Sequence, residues 1–380
     1  MVTIFENLPE DWEIKKLGEI AKIRTGKLDV NAEKPDGKYP FFTCSKEIHK
    51  INEWRYDCEC VLVAGNADLN VKYYKGKFNA YQRTYILEVL DKRIIKTKYL
   101  YYFLSVYVDI LRKKSNGGVI KYIKLSDLAD ICLPIPPLNI QHEIVKILEN
   151  IENGINLREK AILETENLIK SVFLDTFDDL WHNPKGWDVT EIKKVCLKIP
   201  NIVPNESLAD EYINYIDISA IDNTSKKIVN VKKIKGKEAP IRARQILMKD
   251  DILVAIVRPN LNSVALVSNE YDNLIASTGF CVLRPKKNMI NEKYLFEISK
   301  SDYFICNLVS KCKGANYPAV NKPDVLNLEI PIPPIDLQNK FAEIVQKLEE
   351  IKEKQIKSKE EMEELFNCCL YTTIIGNLIK

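Results

Sequence analysis

The feature that most constrains this chain is a proline-rich stretch that occurs twice. Its copies are PIPPLNIQHEI at residues 134–144 and PIPPIDLQNKF at residues 331–341. Proline fixes φ and forces the residue before it into an extended conformation, so no helix can continue through either stretch from its N-terminal side. Asn139 and Asp336 are suitable N-cap residues for a following helix. Each copy therefore predicts the start of a helix.

Helical periodicity of apolar residues follows both copies. The two apolar series are Ile144, Ile147, Leu148, Ile151, Ile155, Ile162, Ile169, Val172 and Phe173, and then Phe341, Ile344, Val345, Leu348, Ile351, Ile356, Leu365 and Phe366. Each helix could extend over ~40 residues, or about 60 Å at 1.5 Å per residue. One such helix alone would be an ordinary amphipathic core helix. Two copies behind one signature indicate an internal duplication and a matched pair.

The duplication extends upstream of the two helices. The motif WEI at residues 12–14 recurs as WDV at 187–189, and KYL at residues 98–100 recurs at 293–295, each time opening a helical pattern. These matches fall in the same order in both halves. We therefore interpret the chain as a tandem repeat of a globular domain followed by a long helix.

Short runs rich in β-branched and aromatic residues predict strands in both globular halves. They lie at residues 39–43, 61–64 and 84–89, and at residues 212–218, 252–257 and 280–283. Because the strands cluster and do not alternate strictly with helices, the predicted class is α+β. The predicted order is a globular domain at 1–137, a long helix at 138–180, a second globular domain at 181–334 and a second long helix at 335–380. Since each helix needs an apolar partner, we predict an antiparallel coiled coil with a pseudo-two-fold axis between the halves.

Composition argues against several classes of protein. The first residues lack the basic and apolar segments of a secretory signal, and no apolar run approaches the ~20 residues of a membrane span, so we expect a cytoplasmic protein. The ten cysteines and three histidines lack the spacing of zinc ligands, which predicts reduced thiols and no metal site. The formal net charge of +3 neither requires nor excludes a nucleic-acid partner.

The sequence also lacks the common catalytic motifs. It contains no phosphate-binding loop, no dinucleotide-binding glycine motif and no G-x-S-x-G turn. The Asn/Asp-Pro-Pro-aromatic signature of aminomethyltransferases is absent, because both Pro-Pro pairs follow isoleucine and precede an aliphatic residue. We therefore expect no catalytic site and no cofactor bound by this chain.

The repeated Pro-Pro-[Leu/Ile]-x-x-Gln motif before a long helix, together with the Trp-x-[Ile/Val] opening of each half, resembles the specificity (S) subunits of type I restriction–modification systems. The resemblance covers essentially the whole chain. One departure is that Ile140 and Leu337 precede the two glutamines, where the family often has an acidic residue. In that family each globular half is a target recognition domain, and the two helices form an antiparallel coiled coil.

The resemblance implies a non-catalytic DNA-recognition subunit. Each domain would recognise one half of a bipartite site in double-stranded DNA, and the helical pair would set the spacer and dock two modification (methyltransferase) subunits. Those partners would carry S-adenosylmethionine, and restriction subunits would complete an endonuclease. The partner-binding residues expected on the helices are Gln141, Ile144, Ile147, Ile151, Gln338, Phe341, Ile344 and Leu348.

Base-edge recognition needs hydrogen-bonding side chains on loops between strands. The first-half candidates for DNA binding are Arg24, Thr25, Lys27, Thr43, Ser45, Asn66, Gln82, Arg83 and Asn116. The second-half candidates are Arg258, Asn260, Asn262, Ser277, Thr278, Lys313, Asn316 and Tyr317. The pair Gln82–Arg83 and the pair Ser277–Thr278 occupy matching places before a strand. Three alternatives stay open: a related two-subunit system, a stand-alone DNA-binding regulator, and a coiled-coil scaffold without nucleic acid.

Overall fold

The computed structural model describes residues 9–114, 122–267, 272–312 and 318–374. Contacts divide the chain into two compact units, residues 1–160 with 355–380 (unit 1) and residues 161–354 (unit 2). Each of the two long helices therefore contributes one part to each unit. The units are described separately below.

Unit 1 is built on a six-stranded sheet with the strand order β2-β7-β5-β6-β3-β4 and a two-stranded sheet β1-β8. The strands are β1 Glu13–Lys16, β2 Ala21–Thr25, β3 Tyr39–Phe42, β4 His49–Ile51, β5 Tyr56–Ala64, β6 Val71–Ala80, β7 Thr84–Val89 and β8 Cys132–Ile135. The helices are α1 Leu17–Ile20, α2 Thr97–Lys114, α3 Leu125–Ala129 and the long α4 Leu138–Phe177, with a 3₁₀ turn at Val30–Ala32.

Unit 2 contains two four-stranded sheets, β10-β19-β16-β17 and β14-β11-β18-β15, and the pairs β9-β20 and β12-β13. The strands are β9 Asp188–Glu191, β10 Cys196–Leu197, β11 Tyr212–Ile216, β12 Ile221–Asp222, β13 Lys227–Ile228, β14 Lys232–Lys235, β15 Ala243–Ile246, β16 Ile252–Ala255, β17 Val264–Leu266, β18 Leu274–Ser277, β19 Phe280–Pro285 and β20 Glu329–Ile332. The helices are α5 Ile192–Val195, α6 Pro204–Ser207, α7 Glu292–Lys300, α8 Asp302–Val309, α9 Lys322–Leu326 and α10 Ile335–Ile374, with 3₁₀ turns at Ile218–Ala220, Gly236–Glu238 and Pro259–Leu261.

A shared framework occurs in both units. In unit 1, β1 pairs antiparallel with β8, the strand that ends in the first two residues of the first proline stretch, and in unit 2 β9 pairs in the same way with β20. The hydroxyl of Tyr99 donates to Pro134 O at 3.0 Å, and the hydroxyl of Tyr294 donates to Pro331 O at 2.9 Å. Both tyrosines are fully buried in the apolar core of their own unit. The framework therefore repeats down to individual hydrogen bonds.

The long helices pair antiparallel within each unit. In unit 1, Gly154 lies beside the Met362 side chain, and Arg158 Nε donates to Ser358 Oγ at 3.1 Å. In unit 2, the Phe173 ring packs edge-on against Phe341 with centroids 5.6 Å apart. Also in unit 2, Glu166 of α4 forms an ion pair with Lys352 of α10. Residues further along α4 therefore contact residues that lie earlier in α10, as antiparallel helices require. The predicted α+β class with a paired-helix, duplicated architecture is confirmed.

The predicted N-caps were wrong by two residues. The amide of Gln141 donates to Pro137 O at 3.0 Å, and that of Gln338 donates to Pro334 O at 3.2 Å, so the second proline of each Pro-Pro pair occupies the N-cap position. Asn139 therefore lies inside the first turn, as does the corresponding aspartate of α10. Proline can take this position because its carbonyl accepts the first helical bond, and its missing N–H is not needed there.

Candidate nucleic-acid interface

Turns and loops that flank the strands of the six-stranded sheet come together in unit 1. Gly65 N donates to Arg83 O at 2.8 Å, and Ile123 N donates to Gly65 O at 3.0 Å. Tyr81 N donates to Phe42 O at 2.9 Å, and Lys27 N donates to Ala80 O at 3.2 Å. We call the five segments joined by these bonds the first loop cluster: residues 26–28, 42–46, 64–70, 80–84 and 122–124.

Two glycines allow the segments of the first loop cluster to approach so closely. A Cβ atom on Gly26 would lie 2.2 Å from Ala80 O, and one on Gly65 would lie 2.4 Å from Arg83 O. Both contacts are with backbone, which cannot move aside as a side chain could. Backbone hydrogen bonds thus hold the polar side chains of separate turns on one surface.

The first loop cluster is electropositive and presents several of the predicted residues. It contains Lys27, Lys46, Arg83 and Lys124 but a single acidic residue, Asp68, which pairs with Lys46 at 3.3 Å. The predicted residues Lys27, Ser45, Gln82 and Arg83 are exposed there, while Asn66 is half-buried. An excess of positive charge beside exposed hydrogen-bonding groups suits a nucleic-acid surface.

Three other predicted residues of unit 1 are used inside the domain. Arg24 lies on strand β2, forms an ion pair with Glu88 and stacks over the Tyr56 ring at 4.7 Å. Thr25 ends the same strand and is half-buried. Thr43 is buried, and its Oγ1 accepts a hydrogen bond from Ser45 N at 3.1 Å. The side chains of Arg24 and Thr43 stabilise the sheet and the turn, and their predicted DNA contact stays a prediction.

An equivalent set of turns meets in unit 2. Ile256 N donates to Gly279 O at 3.0 Å, Val320 N donates to Ile256 O at 2.9 Å, and Thr278 N donates to Arg242 O at 2.8 Å. We call the four segments the second loop cluster: residues 240–246, 256–262, 277–280 and 318–322. Its charged residues are Arg242, Arg244, Arg258 and Lys322, and its sequence contains no acidic residue.

Some of the predicted residues in the second loop cluster are exposed, and others form hydrogen bonds inside the domain. Arg258 and Asn260 are exposed on the 3₁₀ turn after β16, and Thr278 is half-buried in the turn before β19. Asn262 donates through Nδ2 to Lys300 O at 3.0 Å and so fixes its own loop. Ser277 is buried and its Oγ accepts from Gly279 N at 3.2 Å, which stabilises the turn; its predicted DNA contact stays a prediction. Asn116, Lys313, Asn316 and Tyr317 lie outside the described residues.

Strand register shifts one predicted correspondence by a residue. Ala64 pairs with Thr84 in unit 1, and Ala255 pairs with Phe280 in unit 2. The residues equivalent to Gln82–Arg83 are therefore Thr278–Gly279 and not Ser277–Thr278. The turn residues themselves differ between the units, so the sequence alone does not fix this alignment.

The second loop cluster includes two features that sequence reasoning missed. Residues 240–242 form a turn hydrogen-bonded to Thr278, and Lys322 Nζ donates to Gln245 Oε1. Burial lowers the pKa of Lys322 below its ordinary value. Gln245 is buried and donates to Ser277 O at 2.7 Å and to Phe280 O at 3.0 Å. In the sequence, the signal for a basic turn is Pro240 followed by the arginines at 242 and 244.

The two glutamines predicted to contact partners are instead fully buried at the helix starts. Gln141 Nε2 donates to Ile94 O and to Pro136 O, both at 2.8 Å, and its Oε1 accepts from Lys96 N at 2.8 Å. The corresponding Gln338 accepts from Asn291 N at 2.9 Å and donates to Pro333 O at 2.7 Å. These hydrogen bonds hold each helix start to its own domain, and the predicted partner contact of the two glutamines stays a prediction.

The apolar helix residues divide by exposure. Ile144 and Phe341 are buried in the cores of their own units, and their predicted partner contact stays a prediction. Ile151 and Leu348 are half-buried. Ile147 and Ile344, at matching positions of the two helices, are each 44% exposed. Among the predicted partner residues, Ile147 and Ile344 are therefore the most accessible to a partner.

Two further properties concern the described residues only. Within the four described ranges, no group of three or more His, Cys, Asp or Glu side chains comes together as a metal site would require. None of the helices placed in those ranges combines the length and apolar character needed to cross a membrane.

Comparison with known proteins connects this duplicated geometry to a family. The family model described as the type I restriction modification DNA specificity domain matches residues 9–167 and again residues 184–363. The chain belongs to this family of specificity domains. The two matches contain the first and second loop clusters, respectively, so one specificity domain corresponds to each copy of the framework.

Full-length relatives agree with this assignment. The type I restriction enzyme EcoDI specificity subunit of Escherichia coli is 27% identical over 376 residues, which cover 90% of this chain and 82% of that subunit. The MjaVIII specificity subunit of Methanocaldococcus jannaschii is 23% identical over 394 residues, covering 94% and 90%. The predicted membership, and with it the role as the non-catalytic specificity component of a type I system, is confirmed.

A solved structure supports the same fold for this specificity subunit. The crystal structure of a type I restriction–modification S subunit from M. genitalium covers 98% of this chain and 99% of that chain with a TM-score of 0.63. Its sequence identity is 17%, so the likeness shows a shared fold.

Proposed function

We propose that this specificity subunit recognises a bipartite site in double-stranded DNA, one half through each loop cluster. The observation that carries the proposal is the contrast between a framework repeated bond for bond and two loop clusters that differ in residues and supporting strands. Repeated scaffolds with different polar surfaces suit the recognition of two different half-sites. S-adenosylmethionine and the transfer chemistry belong to the partner methyltransferase subunits, and restriction subunits act with them.

The charges of the clusters support contact with DNA. Four basic residues against one acidic residue in the first cluster, and four against none in the second, can neutralise phosphates. Phosphate contacts position a protein on the duplex, while hydrogen bonds to base edges carry the sequence information. In the first cluster Gln82 and Arg83 are exposed and can make such hydrogen bonds. In the second cluster Arg258 and Asn260 have the same properties.

The long helices would dock the methyltransferase subunits and set the spacer. Ile147 and Ile344 offer equivalent apolar contacts, so two copies of one partner could bind in equivalent ways.

Each helix runs from one unit into the other along the chain. A matched insertion of four residues after Lys160 and after Lys354 adds roughly 6 Å to each helix, against about 3.4 Å per base pair. The recognised spacer should lengthen by one or two base pairs with unchanged half-sites; an unchanged spacer would contradict the spacer role.

The main test is a domain exchange in the assembled complex. The chain is co-expressed with its methyltransferase subunit, and methylated adenines are mapped across the host genome. Replacing residues 183–330 with those of another specificity subunit should change one half-site and leave the other intact. The unmodified chain purified alone should neither bind S-adenosylmethionine nor transfer methyl groups. A change in both half-sites, or transfer by the chain alone, would contradict the proposal.

A further inference from the structure

The turn at residues 240–243 of the second loop cluster exposes an isoleucine. Ile241 is 81% exposed, the largest fraction among the exposed large apolar residues of the described chain. Ala243 N donates to Pro240 O at 2.8 Å, which closes a β-turn with Ile241 and Arg242 at its tip. A large apolar side chain that projects from a closed turn gains nothing for the fold of its own domain.

The turn is held rigidly from both sides. Ala239 and Ala243 are buried, so the chain is anchored immediately before and after the exposed tip. Arg242 O accepts from Thr278 N at 2.8 Å, and Ala243 pairs with Ser277 across the β15–β18 ladder. Rigid presentation lowers the entropy cost of using Ile241 in a contact.

The surroundings of Ile241 indicate what it would contact. Arg242 follows it directly, and the other charged residues of the second loop cluster are Arg244, Arg258 and Lys322, with no acidic residue among the four segments. The exposed Arg242 beside Ile241 and the positive charge of the second loop cluster are complementary to a polyanion and do not suit a purely apolar protein surface. In the major groove of DNA, the apolar group on a base edge is the C5 methyl of thymine.

We propose that Ile241 is a specificity residue that contacts the C5 methyl group of a thymine in the half-site recognised by unit 2. The inference rests on the proposed function, because it requires the second loop cluster to face the major groove. Arg242, at the same tip, contacts the adjacent phosphate backbone. The thymine methyl therefore adds to the discrimination made by the hydrogen-bonding side chains of this cluster.

The test removes the methyl group from the DNA and the side chain from the protein in turn. The full chain is assembled with its methyltransferase subunit, and the recognised site is first mapped by methylation. Each thymine of the second half-site is then replaced by deoxyuridine, which lacks only the C5 methyl. Binding of the unmodified complex should weaken about fourfold at one thymine position, as expected for the loss of one buried methyl contact.

The Ile241→Ala complex should bind the normal site about as weakly as the unmodified complex binds that deoxyuridine site. The Ile241→Ala complex should also lose no further affinity when that thymine is replaced by deoxyuridine. Leu261→Ala is the matched control, because Leu261 is a 47% exposed apolar residue in the neighbouring segment of the same cluster. This control should keep the full deoxyuridine effect. Unfolding midpoints equal to that of the unmodified chain would show that both variants fold.

Three outcomes would overturn the inference. Deoxyuridine could have no effect at any position, or its effect could persist in Ile241→Ala. Ile241→Ala could also weaken binding at a site that is insensitive to deoxyuridine, which would indicate an apolar wedge between base steps. In each of these cases a defined methylation site leaves the proposed function standing. A complex that methylates no defined site overturns the proposed function as well.

Discussion

The helix starts and the loop clusters differ in how the two units use their polar groups. At the helix starts, Gln141 and Gln338 are both fully buried and make corresponding hydrogen bonds to corresponding backbone atoms. At the loop clusters, the backbone bonds between turns recur, but the side chains they present do not. Unit 2 also adds a whole four-stranded sheet, β14-β11-β18-β15, where unit 1 extends a single sheet.

The buried helix starts and the exposed loop clusters are under different physical constraints. Buried polar groups must be paired within the chain, so the residues around them cannot vary without a cost in stability. Exposed side chains on fixed turns carry no such constraint, and they can differ between the units while the turns stay in place. Stability should therefore depend on the framework, and DNA sequence preference on the loop clusters.

The largest loss of stability should follow removal of a helix-start glutamine. Gln141→Leu leaves the buried Pro136 O and the partly buried Ile94 O and Lys96 N without their partner, and each unpaired buried group costs ~1–3 kcal/mol. We expect the free energy of unfolding to fall by roughly 3 kcal/mol or more, measured by urea denaturation. Gln346→Leu, at an exposed position on α10, is the control and should change little. Equal effects for the two variants would mean that burial of Gln141 has no special role.

An exposed helix residue should behave in the opposite way. Ile147→Glu places a charge on a surface that is 44% exposed, so the unfolding free energy of the isolated chain should stay within about 0.5 kcal/mol. In the complex the same charge would be buried without a partner, which costs several kcal/mol. Affinity for the methyltransferase subunit should fall on the order of 100-fold by calorimetric titration. Ile344→Glu tests the matching position, and full retention of partner binding by both variants would rule out this surface.

A loop-cluster residue should affect DNA recognition without affecting stability. Arg83→Ala removes an exposed guanidinium from the first loop cluster, and we expect DNA binding to weaken by about tenfold. If the contact is to phosphate, the slope of log affinity against log salt should decrease by about one; if it is to a base, the first half-site should become less specific. Lys170→Ala, a change outside both loop clusters, serves as the comparison. Altered preference at the second half-site would contradict the assignment of one half-site to each unit.

The framework was predictable from sequence to a much greater extent than the loop clusters. Proline stiffening and helical periodicity depend on neighbouring residues, so the helix starts near Pro137 and Pro334 could be located within two or three residues. Convergence of the loops depends on strand pairing between distant segments, such as Gly65 with Arg83, which no local pattern encodes. Whether a side chain such as that of Thr43 or Ile241 is buried depends on which turn lies beside it, so a local pattern does not show it.

The smallest predicted effect compares the same bond in the two units. Tyr99 and Tyr294 each donate a buried hydroxyl to a carbonyl of a proline stretch, and burial raises the pKa of both phenols above their ordinary value. A Tyr99→Phe, Tyr294→Phe double variant should lose about 1 kcal/mol of unfolding free energy per site at pH 8, because each carbonyl loses its donor. Tyr371→Phe, at an exposed position on α10, is the control.

The pH dependence of unfolding gives these tyrosines a second, independent readout. Because the folded-state pKa of each phenol lies above the unfolded value of about 10, their contribution is fully present below pH 10 and is lost as the pH rises through and above it. Stability of the unmodified chain should therefore fall between pH 9 and pH 11, and the double variant should lose less over the same interval. Other tyrosines with raised pKa values, among them Tyr85 and Tyr303, leave a residual slope in both proteins. Identical slopes for the two proteins would mean that Tyr99 and Tyr294 ionise as freely in the folded chain as in the unfolded one, and that their bonds to the proline stretches do not stabilise the framework.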